Sequence, residues 1–134
     1  QTARLVRGAR DLPPRVSGLL NEVKSPFDGQ PWQVLEARQF DVYTGSGPEF
    51  EQPQDVLERM LRFVARARRE WAGGSIAAVS HGSPLAILWD WARGIHPPRT
   101  MHTLPANASV LTLVFESADP DERPVIHYVD PSAA

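Results

Sequence analysis

The chain is organised around residues 75–88, which read Ser75-Ile76-Ala77-Ala78-Val79-Ser80-His81-Gly82-Ser83-Pro84-Leu85-Ala86-Ile87-Leu88. The run from Ser75 to Val79 is made of small and β-branched residues and predicts a short buried strand. Ser83 is a favoured N-cap residue, and Pro84 is favoured as the first residue of a helix. We therefore expect His81 on the turn where the strand ends and the helix begins.

This turn is suited to binding an anion. In an open α/β sheet, ligands gather at the carboxyl ends of the strands. A helix that begins there offers free N–H groups and the positive end of its dipole, which favour phosphate. Gly82 has no side chain to block close approach. The stretch by itself is equally compatible with a structural joint in which His81 is only hydrogen-bonded.

Composition limits the classes of protein. The 134 residues, 42% of them hydrophobic, predict a single globular domain over residues 1–134. The net charge of −2 gives no electrostatic reason to expect nucleic acid or a membrane as partner. There is no cysteine, no apolar run long enough to span a membrane and no visible secretory signal. We therefore expect a cytoplasmic protein without disulfides or thiolate metal sites.

The predicted elements indicate an α/β fold. Helices are expected over residues 1–10, 31–39, 53–71 and 84–93, and strands over 15–17, 75–80, 109–115 and 125–129. We predict three α/β/α layers around a mostly parallel sheet, with an antiparallel edge near the C-terminus. Trp89 and Trp91 leave open whether part of their helix belongs to a homo-oligomer interface.

The helix expected over residues 53–71 carries two stripes. The apolar stripe, which should face the core, comprises Leu57, Met60, Leu61, Val64 and Trp71. The basic stripe comprises Arg59, Arg62, Arg66 and Arg69. A basic stripe is either a solvated face or a site for a polyanion, and the solvated face is favoured because most charge runs lie in water.

Two kinds of catalytic site receive little support. The histidines at positions 81, 96, 102 and 127 do not form a cluster with metal-ligand spacing, and no glycine-rich phosphate loop occurs. The run from Ala78 to Gly82 is similar to a nucleophile elbow, which would make Ser80 the nucleophile of an α/β serine hydrolase. Little chain remains after Ser80 to supply the acid and the histidine of that architecture.

A family resemblance favours phosphoryl transfer. Val79-Ser80-His81-Gly82 resembles the second-histidine motif of the histidine phosphatase superfamily, which includes the cofactor-dependent phosphoglycerate mutases. Gln1-Thr2-Ala3 resembles the segment leading into the family's second helix, and Leu20-Asn21-Glu22 resembles its L-x-E segment. The motifs occur in the family's order. The resemblance implies that His81, with Gly82, binds the phosphoryl group and that Glu22 is the general acid.

The chain departs from the family in one respect. The family's phosphoacceptor histidine lies in an Arg-His-Gly motif, and no Arg-His-Gly occurs in this sequence. The resemblance then implies a C-terminal portion that lacks the first strand, the nucleophile and the first helix, is inactive alone and exposes apolar surface.

Three readings follow from the resemblance. The parent is expected to be a phosphomonoester hydrolase that acts through a phosphohistidine intermediate. The alternatives are a phosphoglycerate mutase-type phosphotransferase and a non-catalytic phosphate-binding module. The expected partner is a small phosphorylated substrate or inorganic phosphate, and no cofactor is expected.

Overall fold

A computed structural model describes residues 2–7, 13–100 and 103–133. Four α-helices lie in these ranges: α1 (Thr2–Arg7), α2 (Trp32–Ala37), α3 (Pro53–Glu70) and α4 (Gly82–Ala92). Two strands, β1 (Val110–Val114) and β2 (Val125–Val129), and short 3-10 turns at Gly18–Leu20 and Pro131–Ala133 complete the described elements. The predictions for residues 8–12 and for His102 lie outside the described residues.

Helix α3 has well-defined ends. Pro53 occupies its first turn, where a missing N–H costs nothing. Before it, Gln52 and Asp55 form a capping box in which each side chain pairs with the other's backbone N–H. After Trp71, Gly73 adopts a φ of +73°, a left-handed conformation that glycine tolerates. The predicted helix over residues 53–71 is therefore confirmed to within one residue.

The core forms where α3 crosses α4. Both helices contribute apolar side chains to it, and the segments before α3 add the rest. The buried members of this cluster are Val23, Tyr43, Val56, Leu57, Met60, Ile87 and Leu88. Helix α4 buries side chains on several faces, as predicted from its apolar circumference. Trp89 stacks on Tyr128 of β2 with ring centroids 4.3 Å apart, which joins the helix to the strand pair.

Strands β1 and β2 form an antiparallel pair, as predicted for the C-terminal edge. Their register places Val110 opposite Val129 and Val114 opposite Val125. These four valines are exposed on one face, while Leu113 on the other face packs against the core. The strand pair therefore exposes an apolar face, whereas the prediction that a missing first strand exposes apolar surface stays a prediction. The three-layer arrangement around a mostly parallel sheet is not formed by the described residues and stays a prediction.

The prediction of a buried strand at residues 75–80 is wrong for the described structure, and this is the largest difference from the sequence analysis. No strand is assigned there, and Ile76 and Val79 are 43% and 38% exposed. A parallel strand is buried only when neighbouring strands pair with it and helices cover its faces. In the part of the chain that the structure describes, β1 pairs with β2, and no strand pairs with residues 75–80.

Smaller differences concern element ends and single side chains. The predicted strand at residues 15–17 has no regular structure, and the predicted helix at residues 31–39 is shortened to α2. Trp71, predicted to be buried, is exposed, with the Arg15 guanidinium 5.5 Å from its ring centroid.

Among the described helices, none is both long enough and apolar enough to traverse a bilayer.

Candidate active site

Glu22 and His81 line one open cleft. The cleft has a volume of about 930 Å³, and its walls come from residues 22–30, α2, the segment before α4, and the stretch from Leu104 into β1. Although 59 positions separate the two residues in the sequence, the charge of His81 influences the ionisation of Glu22. The tertiary structure therefore brings together the two side chains that the resemblance selected.

His81 occupies the N-cap position of α4, with φ −125° and ψ 171°. Its carbonyl accepts the N–H of Leu85 at 3.1 Å and so closes the first helical turn. The helix thus begins at Gly82, and the prediction of Ser83 as N-cap is wrong by two residues. Ser83 is buried inside the first turn. His81 is therefore fixed beside the N–H groups of the first turn, which have no partner within the helix.

The packing of the protein does not require a glycine at position 82. A Cβ at this position would meet Leu104 at 3.5 Å, an ordinary contact distance. No left-handed backbone conformation demands glycine here either. Gly82 lines the cleft next to His81, so its missing side chain leaves the helix N-terminus open to the cleft.

Glu22 lies two residues after the end of the first 3-10 turn, with Asn21 between them. Its Oε1 accepts the backbone N–H of Val23 at 2.9 Å. Although solvent reaches the side chain, the surrounding protein displaces enough water to raise the pKa of the carboxyl above its usual 4.5. The Val23 hydrogen bond and the charges of His81 and Arg59 oppose this rise without cancelling it. A raised pKa keeps a carboxyl protonated at higher pH, as a general acid requires.

A buried ion pair holds the segment that carries Glu22. The Arg59 guanidinium donates to both carboxylate oxygens of Glu51, at 2.6 and 3.2 Å, and to the carbonyl of Leu19 at 2.8 Å. Glu51 in turn accepts the backbone N–H of Lys24 at 3.0 Å. The backbone is therefore held three residues before Glu22 and two residues after it.

Arg59 corrects the interpretation of the basic stripe. It is only 7% exposed, whereas Arg62, Arg66 and Arg69 of the same stripe are exposed as predicted. Helical spacing grouped Arg59 with the exposed arginines. That spacing does not show that Glu51, which precedes the helix, pairs with Arg59 and buries it. Glu51 directly precedes the N-cap residue Gln52, and this adjacency keeps its carboxylate close to the first turns of α3.

Ser80 connects the two halves of the site. Its hydroxyl donates to the carbonyl of Leu20 at 2.9 Å, across 60 positions of sequence. The residue before His81 is therefore tied to the segment two residues before Glu22. Among the described residues, no hydrogen bond joins Ser80 to a histidine, so the arrangement of a serine hydrolase is not formed there.

Tyr43 is a further residue near the site that sequence reasoning missed. Its ring is buried in the core, and burial together with the charges of Glu22 and Glu51 raises the pKa of its phenol well above the usual value. The phenol therefore stays protonated near the segment that carries Glu22. An aromatic residue in an irregular loop gives no periodic pattern, so no sequence signal identified it.

His96 and His127 do not line the cleft. The Nε2 of His96 lies 3.0 Å from a guanidinium nitrogen of Arg123, and His127 is exposed on β2. Among the described residues, no group of three or more histidine and carboxylate side chains is arranged to hold a metal ion.

The raised pKa of Glu22 leads to a stability prediction. Above its folded pKa, the ionised Glu22 carboxylate costs folding free energy, because it is less well solvated than in the unfolded chain. Glu22→Gln removes this charge and can still accept the Val23 N–H. We expect the variant to have a higher free energy of unfolding than the unmodified chain at neutral pH. The gain should vanish as the pH falls well below 4.5, because Glu22 is then protonated in both the folded and the unfolded chain.

Urea unfolding of both proteins across this pH range measures the effect. Glu58→Gln, on an exposed position of α3, controls for the loss of one negative charge. A difference between Glu22→Gln and the unmodified chain that stays constant with pH would contradict the prediction.

Comparison with known proteins supplies one match. The sequence model that describes the histidine phosphatase superfamily (branch 1) matches residues 1–124. The matched range includes Glu22, the α3 helix, His81 and β1, and it ends directly before β2. No curated protein and no solved structure has significant similarity to the chain.

Proposed function

We propose, from the premise that this chain belongs to the histidine phosphatase superfamily, that it supplies the phosphate-binding and acid half of a phosphomonoester hydrolase. The observation that carries the proposal is the shared cleft, in which Glu22 and His81 interact electrostatically. His81 is assigned to the phosphoryl group, and Glu22 to the oxygen of the leaving group.

The phosphoryl group is proposed to lie at the N-terminus of α4. There the His81 imidazole and the first N–H groups of the helix can both donate hydrogen bonds to phosphate oxygens. The open position at Gly82 allows the phosphate to approach the backbone closely. These donors are fixed before the ligand arrives, so they stabilise the charge on phosphorus without reorganisation.

Glu22 is proposed as the general acid. When the bond between phosphorus and the ester oxygen breaks, that oxygen takes up the proton of the Glu22 carboxyl. The raised pKa keeps this proton in place at higher pH than an ordinary glutamate would. The contacts of Arg59 and Ser80 with the carbonyls of Leu19 and Leu20 hold the acid at a fixed position relative to His81.

The nucleophile is not supplied by this sequence. The superfamily forms a phosphohistidine at an Arg-His-Gly motif, and the 134 residues contain no such motif. We therefore propose that this polypeptide by itself binds phosphate but does not turn over a phosphate ester. A non-catalytic phosphate-binding module is the second candidate, and the same missing motif is the observation that favours it.

Phosphate binding tests the proposal. Titration of the full chain with inorganic phosphate, followed by calorimetry, is expected to show binding that His81→Ala weakens by about tenfold or more, the value of one charge-assisted hydrogen bond. His127→Ala, an exposed histidine outside the cleft, is the matched control and should bind as the unmodified chain does.

Two results would separate the candidates or overturn them. Equal phosphate affinity in the His81→Ala and His127→Ala variants would overturn the assignment of His81. The second result is hydrolysis of a phosphate ester by the chain alone, with the activity lost in Glu22→Gln. That result would contradict the hypothesis of a non-catalytic phosphate-binding module and show that a nucleophile lies within these residues.

A further inference from the structure

We infer that the cleft accepts a phosphomonoester whose leaving group is aromatic and uncharged, and that Trp32 selects it. The inference rests on the proposed function, since it concerns the part of the same cleft that lies beyond the phosphate. It names the substrate class, which neither the motifs nor the family match provides.

An aromatic wall adjoins Glu22 in the cleft. Trp32, at the start of α2, is 58% exposed although it lines this concave surface. Its ring packs against Phe40 with centroids 5.2 Å apart and planes tilted by 56°. Phe27, in the same wall, is covered by the Arg38 guanidinium at 4.2 Å from its ring centroid. The wall is thus built from packed rings, and the Trp32 ring still has free surface toward the cleft.

The position of this wall follows the chain. Glu22, Phe27 and Trp32 lie within eleven residues of one another, on one continuous segment of the cleft lining. The acid that protonates the leaving oxygen and the ring that would contact the leaving group therefore come from the same segment. A group attached to that oxygen extends from Glu22 along the wall.

The charges of the cleft exclude a second anionic group. Its described lining carries two carboxylates, Glu22 and Asp28, but neither lysine nor arginine. Arg38, whose guanidinium lies over Phe27, donates to the carbonyls of Asp41 and Thr44 at 2.9 and 2.6 Å and is thereby held in place. A carboxylate or second phosphate on the leaving group would meet the Glu22 and Asp28 carboxylates, and no lysine or arginine in the described lining would compensate this charge.

This combination favours hydrolysis of an aromatic ester over phosphoglycerate mutation. A phosphoglycerate carries a carboxylate beside its phosphate, and a bisphosphoglycerate carries a further phosphate. An uncharged ring instead covers the exposed face of Trp32 and gains an offset or edge-to-face contact with it. The carboxylates of the cleft therefore disfavour the alternative of a phosphoglycerate mutase.

The test compares three phosphonates that cannot be hydrolysed. Methylphosphonate reports the phosphate site alone, phenylphosphonate adds an uncharged ring, and phosphonoacetate adds a carboxylate. Calorimetry with the full chain is expected to show phenylphosphonate binding about fivefold to tenfold more tightly than methylphosphonate, the value of one aromatic contact. Phosphonoacetate is expected to bind no more tightly than methylphosphonate.

Two tryptophan variants assign the effect to a residue. Trp32→Ala should abolish the preference for phenyl over methyl, while Trp71→Ala should keep it. Trp71 is the matched control because it is also solvent-accessible but lies outside the cleft, against Arg15. The comparison among ligands on the unmodified chain requires no variant to fold.

The outcomes separate this inference from the proposed function. Methylphosphonate binding that depends on His81, without a preference for the phenyl group, would overturn the aromatic substrate and leave the proposed function standing. A preference that survives Trp32→Ala would overturn the role of Trp32. If neither methylphosphonate nor inorganic phosphate binds, the proposed function is wrong, and the inference falls with it.

Discussion

Replacing Ile87 with alanine should lower the free energy of unfolding by about 3 kcal/mol, the usual range for a fully buried isoleucine. Ile87 lies on α4 in the cluster between α3 and α4 and is almost completely shielded from water. Alanine would remove three carbon atoms there and leave a cavity that the two packed helices cannot close. Equilibrium urea unfolding, followed by far-ultraviolet circular dichroism, measures the loss.

The same substitution at Ile76 is the matched control. Ile76 lies in the stretch that the sequence predicts to be a buried strand, but the structure leaves its side chain 43% exposed. Ile76→Ala should therefore cost less than about 1 kcal/mol, as surface substitutions usually do. Equal losses at both positions would contradict the structure and support burial of residues 75–80.

Removing the Arg59 guanidinium is the second large effect that we expect. Arg59→Met keeps most of the side-chain volume but leaves the Leu19 carbonyl without this donor and Glu51 without its cationic partner. Breaking a buried ion pair on one side is strongly destabilising, because the remaining charge stays partly desolvated. We expect the free energy of unfolding to fall by about 3 kcal/mol, at the low end of the range for buried pairs because Glu51 is partly accessible.

Arg62→Met separates this effect from a general loss of positive charge. Arg62 is on the same helix and in the same predicted basic stripe, but its side chain is exposed. It should change the free energy of unfolding by no more than about 0.5 kcal/mol. The double variant Arg59→Met, Glu51→Gln provides a further check, since removing both charges should recover part of the lost stability. Comparable losses for Arg59→Met and Arg62→Met would show that the ion pair does not support the fold.

The helices were the most predictable part of the fold. Periodic apolar residues, the proline at position 53 and the glycines at 73 and 94 identified α3 and α4 within one or two residues. These signals are local, because a helix closes its hydrogen bonds within one segment. The antiparallel pair β1–β2 was predicted for a similar reason, since its strands alternate and are separated by a turn.

The candidate site was predictable only in part. His81 and Glu22 were selected from short motifs in a family's order, and the structure places both in one cleft. The supporting roles of Arg59, Ser80 and Tyr43 were not predicted, because these residues act through contacts with distant segments. No periodicity encodes a hydrogen bond such as the one from Ser80 to Leu20, which joins positions 60 residues apart.

The sequence by itself determined that α2, α3 and α4 are helical, where α3 begins and ends to within one residue, and that no Arg-His-Gly motif is present. Only the tertiary structure decided that Arg59 is buried and that Ile76 is exposed, because burial depends on neighbours that come from elsewhere in the chain. Arg59 meets a carboxylate, whereas residues 75–80 meet no partner strand among the described residues. Helical hydrogen bonds and caps form between residues that are close in sequence, so the sequence predicts them. Desolvation and charge pairing depend on residues that only the packed chain brings together.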